Sequence, residues 1–410
     1  MINMLILFLF LIMPHSYAGL VDWDETKSQE IINQYPLKIK NGFVSSMWGT
    51  INEPSIRLES HSIFENPVAT MAEWKGKSSH FKSGYLKGKL LYWKKNKNDI
   101  GRPLYIIIPG SFSNLSTPQT KRYAYTLFRK GYNVIMLPNP LSIDFLSNHP
   151  NFLPGSIFKE SDSIIEAVES WLGDSGKKLI KISEINIVGT SYGGFVAGVI
   201  TGSKRKWKEL HKKTFIISAP RYLDKSMKLL ERYVVKGLSY VSRYKVVEFY
   251  KMIAKALMIY IGGPEKNFLD QNVLNEVQSF VVIHGFQRLL IESLEYCHRV
   301  LKKSTYQLLG DIDNAESYLK LKRTLRFSDY SNKYLPKTLS RLQSEDGDLL
   351  SWVNKKEAIS VSVRILTTKD DWVNESHTWP DSKAIMILPR GGHFGFRGGL
   401  WLDKLMNEFF

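Results

Sequence analysis

The chain has almost no cysteine. A single thiol in 410 residues, Cys297, excludes any intramolecular disulfide. Cys297 shares one face of a predicted helix with Leu290, Leu294 and Leu301, which points to a buried, inert thiol. Acidic residues are few beside basic ones, 39 against 56, for a formal net charge of +17. The stretch from Lys204 to Lys255 alone holds 15 Lys and Arg against 4 Asp and Glu, a local excess of +11. Such a surface attracts anionic partners. No nucleic-acid-binding motif is present, so an anionic membrane surface is the better expectation and nucleic acid the poorer one. Cofactor signatures are absent as well. There is no Gly-x-Gly-x-x-Gly, no phosphate-cradling glycine loop ending in Lys-Ser/Thr, and no His-Glu-x-x-His. The nine histidines are scattered, and Asp346-Gly-Asp348 lacks the other ligands of a calcium loop. Neither a cofactor nor a metal is expected. Internal repeats and low-complexity segments are also missing.

Long apolar runs are confined to the start. Met1–Met13 is almost wholly apolar, Pro14 breaks it, and Ser16-Tyr17-Ala18 offers small residues for cleavage after Ala18. This reads as a signal peptide over residues 1–18, too short for a comfortable membrane span. No cysteine follows the cleavage point, which argues against a lipid anchor. No Lys or Arg precedes the run, so an uncleaved membrane anchor is the alternative. An exported protein without disulfides suits a bacterial periplasm, or secretion from such a cell.

The rest divides by periodicity. Residues 19–82 form an N-terminal extension of mixed pattern. Then short β-branched and aromatic runs alternate with amphipathic ones. Strands are predicted at Lys89–Trp93, Leu104–Ile108, Asn133–Leu137, around Ile185, at Phe215–Ile217, Val361–Leu366 and Ala384–Leu388. Helices are predicted at Thr120–Lys130, Asp162–Leu172 and from the Ile185 strand's end to about Thr201. Strands alternating with helices predict an α/β fold with a mostly parallel, doubly wound sheet.

One long stretch carries only helical periodicity. Leu223, Met227, Leu230, Val234, Leu238 and Val241 step by three and four, and Val246, Tyr250, Ile253, Leu257 and Ile261 repeat the pattern. A further run passes through Val277, Phe280, Val281 and His284. Core strands resume afterwards. Residues 221–356 are therefore expected to be a helical cap inserted into a core made of 19–220 and 357–410.

The chemistry centres on Ile185-Asn-Ile-Val-Gly-Thr-Ser-Tyr-Gly-Gly194. An apolar strand runs into Gly189-x-Ser191-x-Gly193, and small residues open the next helix. That is a strand–turn–helix with a serine at its apex, exposed beside a helix N-terminus. A serine needs a base, and the base needs orienting. In a doubly wound sheet both belong on loops after later strands. The Val361 strand leads to Asp370-Asp371, and the last strand leads to Gly391-Gly392-His393. His393 is the expected base, with His377 as a rival in a polar turn. Asp371 is preferred to Asp370 as its orienting acid. The chain order is then Ser191, Asp371, His393. Two backbone N–H groups must hold an oxyanion. One is Tyr192. The other belongs to the loop Pro109-Gly-Ser-Phe112, with Ser111 first and Phe112 as the alternative.

Several segments together resemble one family. They are Ile106-Ile-Ile-Pro-Gly110, Gly131-Tyr-Asn-Val134, Gly189–Gly194, Leu325-Arg-Phe-Ser-Asp-Tyr330, Asp370-Asp371 and Gly391-Gly-His-Phe-Gly-Phe396. The chain resembles the α/β-hydrolases, in particular their YheT-like branch. The resemblance implies an α/β-hydrolase fold, a Ser191/Asp371/His393 triad and an esterase or lipid-hydrolase activity. Three features depart from the pattern. Asn139-Pro-Leu-Ser142 replaces the usual Arg-Gly, the insertion is long and basic, and Trp372 stands where proline is common. The expected function is a serine hydrolase acting on a carboxylic ester, with lipid esters among the candidate substrates. A peptidase or amidase using the same triad, and a non-enzymatic binding protein on the same fold, are the competing readings.

Overall fold

The computed structural model describes residues 68–94, 101–243, 289–301, 326–374, 379–397 and 401–409, with isolated positions between 20 and 46. The expected signal peptide 1–18, the helical periodicity at 246–261 and 277–284, and His377 lie outside the described residues.

Eight strands form one sheet: β1 (Ala69–Lys77), β2 (Tyr85–Trp93), β3 (Arg102–Ile108), β4 (Asn133–Met136), β5 (Ile182–Thr190), β6 (His211–Ile217), β7 (Ser362–Thr368) and β8 (Ile385–Leu388). Their spatial order is β1-β2-β4-β3-β5-β6-β7-β8. Only β2 runs against the others; from β4 to β8 every neighbouring pair is parallel. The central strands are apolar on both faces because helices cover both. Ile106, Ile108, Ile185 and Ile187 belong to one core, and Tyr105, Ile107 and Val188 to the other.

Helices α1 (Pro118–Arg129), α2 (Ile157–Trp171) and α3 (Tyr192–Thr201) supply that cover. α2 begins five residues before its expected start at Asp162, because Ile157, Phe158 and Glu160 are all buried on its inner side. β1 is the strand the sequence pattern concealed within the extension 19–82. It is an edge strand, with Trp74 fully buried between exposed Glu73 and Lys75, so its alternation is only partial. A C-terminal helix, α7 (Trp401–Phe409), had no counterpart among the predicted elements. Buried Arg122 of α1 makes a two-pronged pair with its Asp403, at 2.9 and 2.8 Å.

The chain leaves the sheet after β6 and returns at β7. Between them, the described residues are mainly helical: α4 (Leu223–Arg243), residues 289–300, α5 (Phe327–Tyr334) and α6 (Pro336–Leu342). Leu290, Leu294, Cys297 and Leu301 are buried together, with Cys297 a free thiol. The short helix Leu349–Val353, placed within the expected insertion 221–356, packs in the main core instead. Leu349 there presses on α3 where Gly198 leaves room.

Candidate active site

β5 ends at Thr190 and α3 begins at Tyr192, so Ser191 alone makes the turn. Its backbone has φ 51° and ψ −124°, a left-handed conformation that a residue with a side chain keeps only when its surroundings enforce it. The enforcement is visible. The Ser191 N–H donates to the Ile217 carbonyl of β6 at 2.8 Å. A Cβ on Gly189 would stand 2.5 Å from the Gly193 carbonyl oxygen, and one on Gly193 would stand 2.2 Å from that of Ile108. Only glycine permits so tight a crossing.

The structure brings three of the expected residues together. His393 Nε2 is 2.8 Å from Ser191 Oγ, and His393 Nδ1 is 2.9 Å from Asp371 Oδ1. Asp371 and His393 are buried, at 3% and 4% exposure, so the hydrogen bond between them is shielded from competing water. Asp371 Oδ1 also accepts the Val373 N–H at 3.0 Å. Asn374 Nδ2 approaches Asp371 Oδ2 at 3.4 Å. Asp370 points elsewhere: its Oδ1 accepts the Gly392 N–H at 2.8 Å, which fastens the histidine loop. The loop also needs its glycines for conformation, with φ 140° at Gly391 and 56° at Gly392. The imidazole lies between the Trp372 ring, 5.1 Å away, and the Phe394 ring, 4.3 Å away.

Two N–H groups face the same cleft. Tyr192 is the first residue of α3, and its N–H is one that a helix leaves unused. In the loop after β3, the two expected donors differ. The Phe112 N–H is already given to Asn139 Oδ1 at 3.2 Å, which removes Phe112 from the role. The Ser111 N–H has no partner among the described residues. Gly110 lets this loop approach, since a Cβ there would lie 3.2 Å from Ser191 Cβ.

Sequence reasoning missed three supporting residues. Asn139 is fully buried; its Nδ2 donates to the Pro109 carbonyl at 2.7 Å while its Oδ1 also accepts the Leu141 N–H at 2.9 Å. The only signal for it was the unusual Asn-Pro-Leu-Ser. Glu160, also fully buried, accepts the Tyr192 hydroxyl at 2.6 Å and the Gly155 N–H at 2.7 Å. Burial pushes its carboxyl up to about 7, against the pull of those two hydrogen bonds. The Tyr192 phenol is raised well above its ordinary value, by burial first and then by Glu160. The third is Ser46, for which the sequence held no signal.

Ser191, His393, Ser111 and Tyr192 line a partly open cleft of about 120 Å³. Apolar side chains line the same cleft: Leu223, Met227 and Leu230 of α4, Phe327 of α5, and Leu339 and Leu342 of α6. Among the described residues, no group of three or more His, Cys, Asp or Glu could hold a metal ion.

No family model matches the chain, and no curated protein matches it. Similar solved structures include a dienelactone hydrolase from Anabaena variabilis, 18% identical over 37% of this chain and 64% of that one, with a TM-score of 0.29. The chain thus spans just under two thirds of that enzyme. Acetyl xylan esterase 1 from Thermoanaerobacterium sp. is 12% identical over 95% of this chain and 98% of that one, with a TM-score of 0.39. A 2-hydroxy-6-oxo-6-phenylhexa-2,4-dienoate hydrolase from Rhodococcus sp. is 14% identical over 83% and 99%, with a TM-score of 0.37. The fold follows from the chain's own architecture. One antiparallel strand in a 1-2-4-3-5-6-7-8 sheet, with a serine turn after β5, is the α/β-hydrolase fold.

Proposed function

We propose that the protein is a serine hydrolase of carboxylic esters whose acyl group is apolar. Within the fold, its sequence motifs favour the YheT-like branch. The observation that carries the reading is the Ser191–His393–Asp371 hydrogen-bonded chain beside an apolar cleft. Ser191 Oγ attacks the ester carbonyl carbon while His393 Nε2 takes its proton. Asp371 holds the imidazole in the tautomer that leaves Nε2 free, and it stabilises the imidazolium. The carbonyl oxygen becomes an oxyanion held by the N–H groups of Ser111 and Tyr192. The tetrahedral adduct collapses, the alcohol leaves with the proton from His393, and an acyl-serine remains. Water repeats the sequence, freeing the acid and restoring Ser191.

The cleft supports an acyl chain of medium or greater length. Its mostly apolar lining offers dispersion contacts to such a chain. α4 separates its two sides: Leu223, Met227 and Leu230 face the cleft, while Lys225, Lys228 and Arg232 are exposed. That cationic face is suited to an anionic membrane surface, from which an amphiphilic ester would enter. A periplasmic or secreted site of action belongs to the same proposal.

The test is a series of p-nitrophenyl esters from acetate to laurate, with wild type and Ser191→Ala. Wild type should turn over the longer esters best, and Ser191→Ala should be inactive and unlabelled by a fluorophosphonate probe. Labelling of Ser191→Ala equal to wild type overturns the nucleophile, and a strict acetate preference overturns the acyl cleft. Cosedimentation with phosphatidylglycerol vesicles should weaken as salt rises, because screening acts within a Debye length of about 8 Å at physiological ionic strength. Equal binding to neutral vesicles removes the membrane part.

A further inference from the structure

We infer that Ser46 is a positioning residue of the active site, and that Gly42, Ser45 and Ser46, far ahead of the sheet in sequence, are part of the site. The inference rests on the hydrolase reading above. A serine hydroxyl has one hydrogen to give and two lone pairs to receive. Ser46 uses all three. It donates to the Gly42 carbonyl at 2.7 Å. It accepts the His393 backbone N–H at 2.7 Å. It accepts the Trp372 indole N–H at 2.9 Å. Thus one oxygen, 7% exposed as a residue, fixes both the backbone of the base and the ring beside it.

The surrounding packing is that of a built joint. A Cβ on Gly392 would lie 1.7 Å from the Gly42 carbonyl oxygen and 2.4 Å from Ser46 Oγ. A Cβ on Gly395 would lie 2.7 Å from the Ser45 carbonyl oxygen, and one on Gly42 would lie 2.4 Å from that of Asp370. Glycines on both sides bring two backbones into direct contact. The glycine pair before His393 therefore serves a second purpose besides letting the loop reach the serine. Gly392 makes room for Gly42 and Ser46, and Gly42 also packs directly against Asp370.

Trp372 ties this joint to the cleft. Its indole contacts the imidazole at 5.1 Å between centroids, and it also lines the cleft. Without the Ser46 oxygen, the buried His393 and Trp372 N–H groups lose their acceptor and must shift to find others. A shift of the base by about 1 Å costs up to about 10²-fold in rate. Ground-state binding draws mainly on the apolar side chains of α4, α5 and α6, so it should change less than the rate.

The experiment compares the full chain with Ser46→Ala, Ser46→Thr and Ser46→Cys, by steady-state kinetics on a medium-chain p-nitrophenyl ester and by fluorophosphonate labelling rate. Ser46→Ala should lower kcat and the labelling rate by about 10- to 100-fold, with KM within about twofold. Ser46→Thr, which keeps the hydroxyl, should recover most of that loss. Ser46→Cys, which keeps the volume but offers a weak acceptor, should fall between them and serves if the alanine variant does not fold. Wild-type kcat in Ser46→Ala, or in Ser46→Cys where the alanine variant is not folded, overturns the proposal. So does equal impairment of Ser46→Thr and Ser46→Ala, which would make the site one of packing. A wild type that neither hydrolyses esters nor takes the label overturns the hydrolase reading itself.

Discussion

Asn139 receives the N–H of Phe112 on its side-chain oxygen, and so withdraws that donor from the cleft. The consequence is a loop held at both ends, because the same side chain donates to the Pro109 carbonyl. Phe112 is kept at φ 61°, and Ser111 between the two anchors is left to face Ser191.

Asn139→Ala should therefore disarm the proposed oxyanion site without emptying the proposed acyl cleft. Loss of a single oxyanion donor costs about 10²–10³ in kcat. A displaced Ser111 should cost up to that amount, with KM unchanged within about twofold. Affinity for a boronate transition-state analogue should fall in step with kcat. An unchanged analogue affinity would refute the link between Asn139 and the oxyanion.

The adjacent aspartates should respond differently to the same change. Asp371→Asn leaves the shape but reverses the tautomer preference of His393, a change that costs about 10⁴ in kcat in Ser-His-Asp proteases. Asp370→Asn keeps an oxygen that accepts the Gly392 N–H, so its effect should be small. Asp370→Ala removes that acceptor and should be intermediate. Steady-state kinetics on the three variants gives the ranking, and a larger loss in Asp370→Asn than in Asp371→Asn would exchange the roles.

Much of this was legible in the sequence because it was local. The strand, the glycines and the serine of residues 185–194 are contiguous, so the turn could be read from its spacing together with the strand before it and the helix after it. The loops bearing Asp371 and His393 were found because each follows an apolar strand. β1 was legible only as part of a region with extended segments, since Thr70, Met71 and Ala72 in its first half are all half-buried and show no alternation. Asn139, Glu160 and Ser46 were hidden for another reason. Each acts through a contact distant in sequence: 27 residues from Asn139 to Phe112, 32 from Glu160 to Tyr192, and 347 from Ser46 to His393. Periodicity reports which side of an element is buried, and says nothing about which polar group meets which.

Gly193→Ala should be intolerable at the turn. Its Cβ would lie 2.2 and 2.3 Å from the carbonyl oxygens of Ile108 and Pro109, which are backbone atoms with no rotamer to change. β3 and the oxyanion loop would have to move away from Ser191. Overpacking of this kind costs about 1–3 kcal/mol or more. Thermal melting should drop, and activity per folded molecule should be lost. Gly173→Ala is the control, because nothing lies within 4 Å of its Cβ position. Equal melting temperatures for the two variants would contradict the close approach.

Glu160 should make stability depend on pH in a direction opposite to that of a paired surface carboxylate. Its carboxyl is pushed up to about 7 by burial, from an ordinary value of 4.5. Between those two pH values the native protein holds a proton that the unfolded chain has released. Stability contributed by this group is therefore fully present below pH 4.5 and declines as pH rises to about 7. Each tenfold change in proton affinity corresponds to about 1.4 kcal/mol, so the loss is about 3 kcal/mol across the window. Above pH 7 both states are ionised and the dependence ends. Glu160→Gln removes the ionisation while preserving the contacts. Its amide oxygen can accept the Gly155 N–H, and its amide N–H can donate to the Tyr192 hydroxyl. Urea midpoints for wild type and Glu160→Gln should then nearly coincide at pH 4.5 and separate by pH 8, with the variant the more stable. Other carboxylates add their own pH dependence to both proteins alike, so the difference between the two curves isolates Glu160. Curves that stay parallel from pH 4.5 to 8 would show that the buried carboxyl beneath Tyr192 does not titrate in this range.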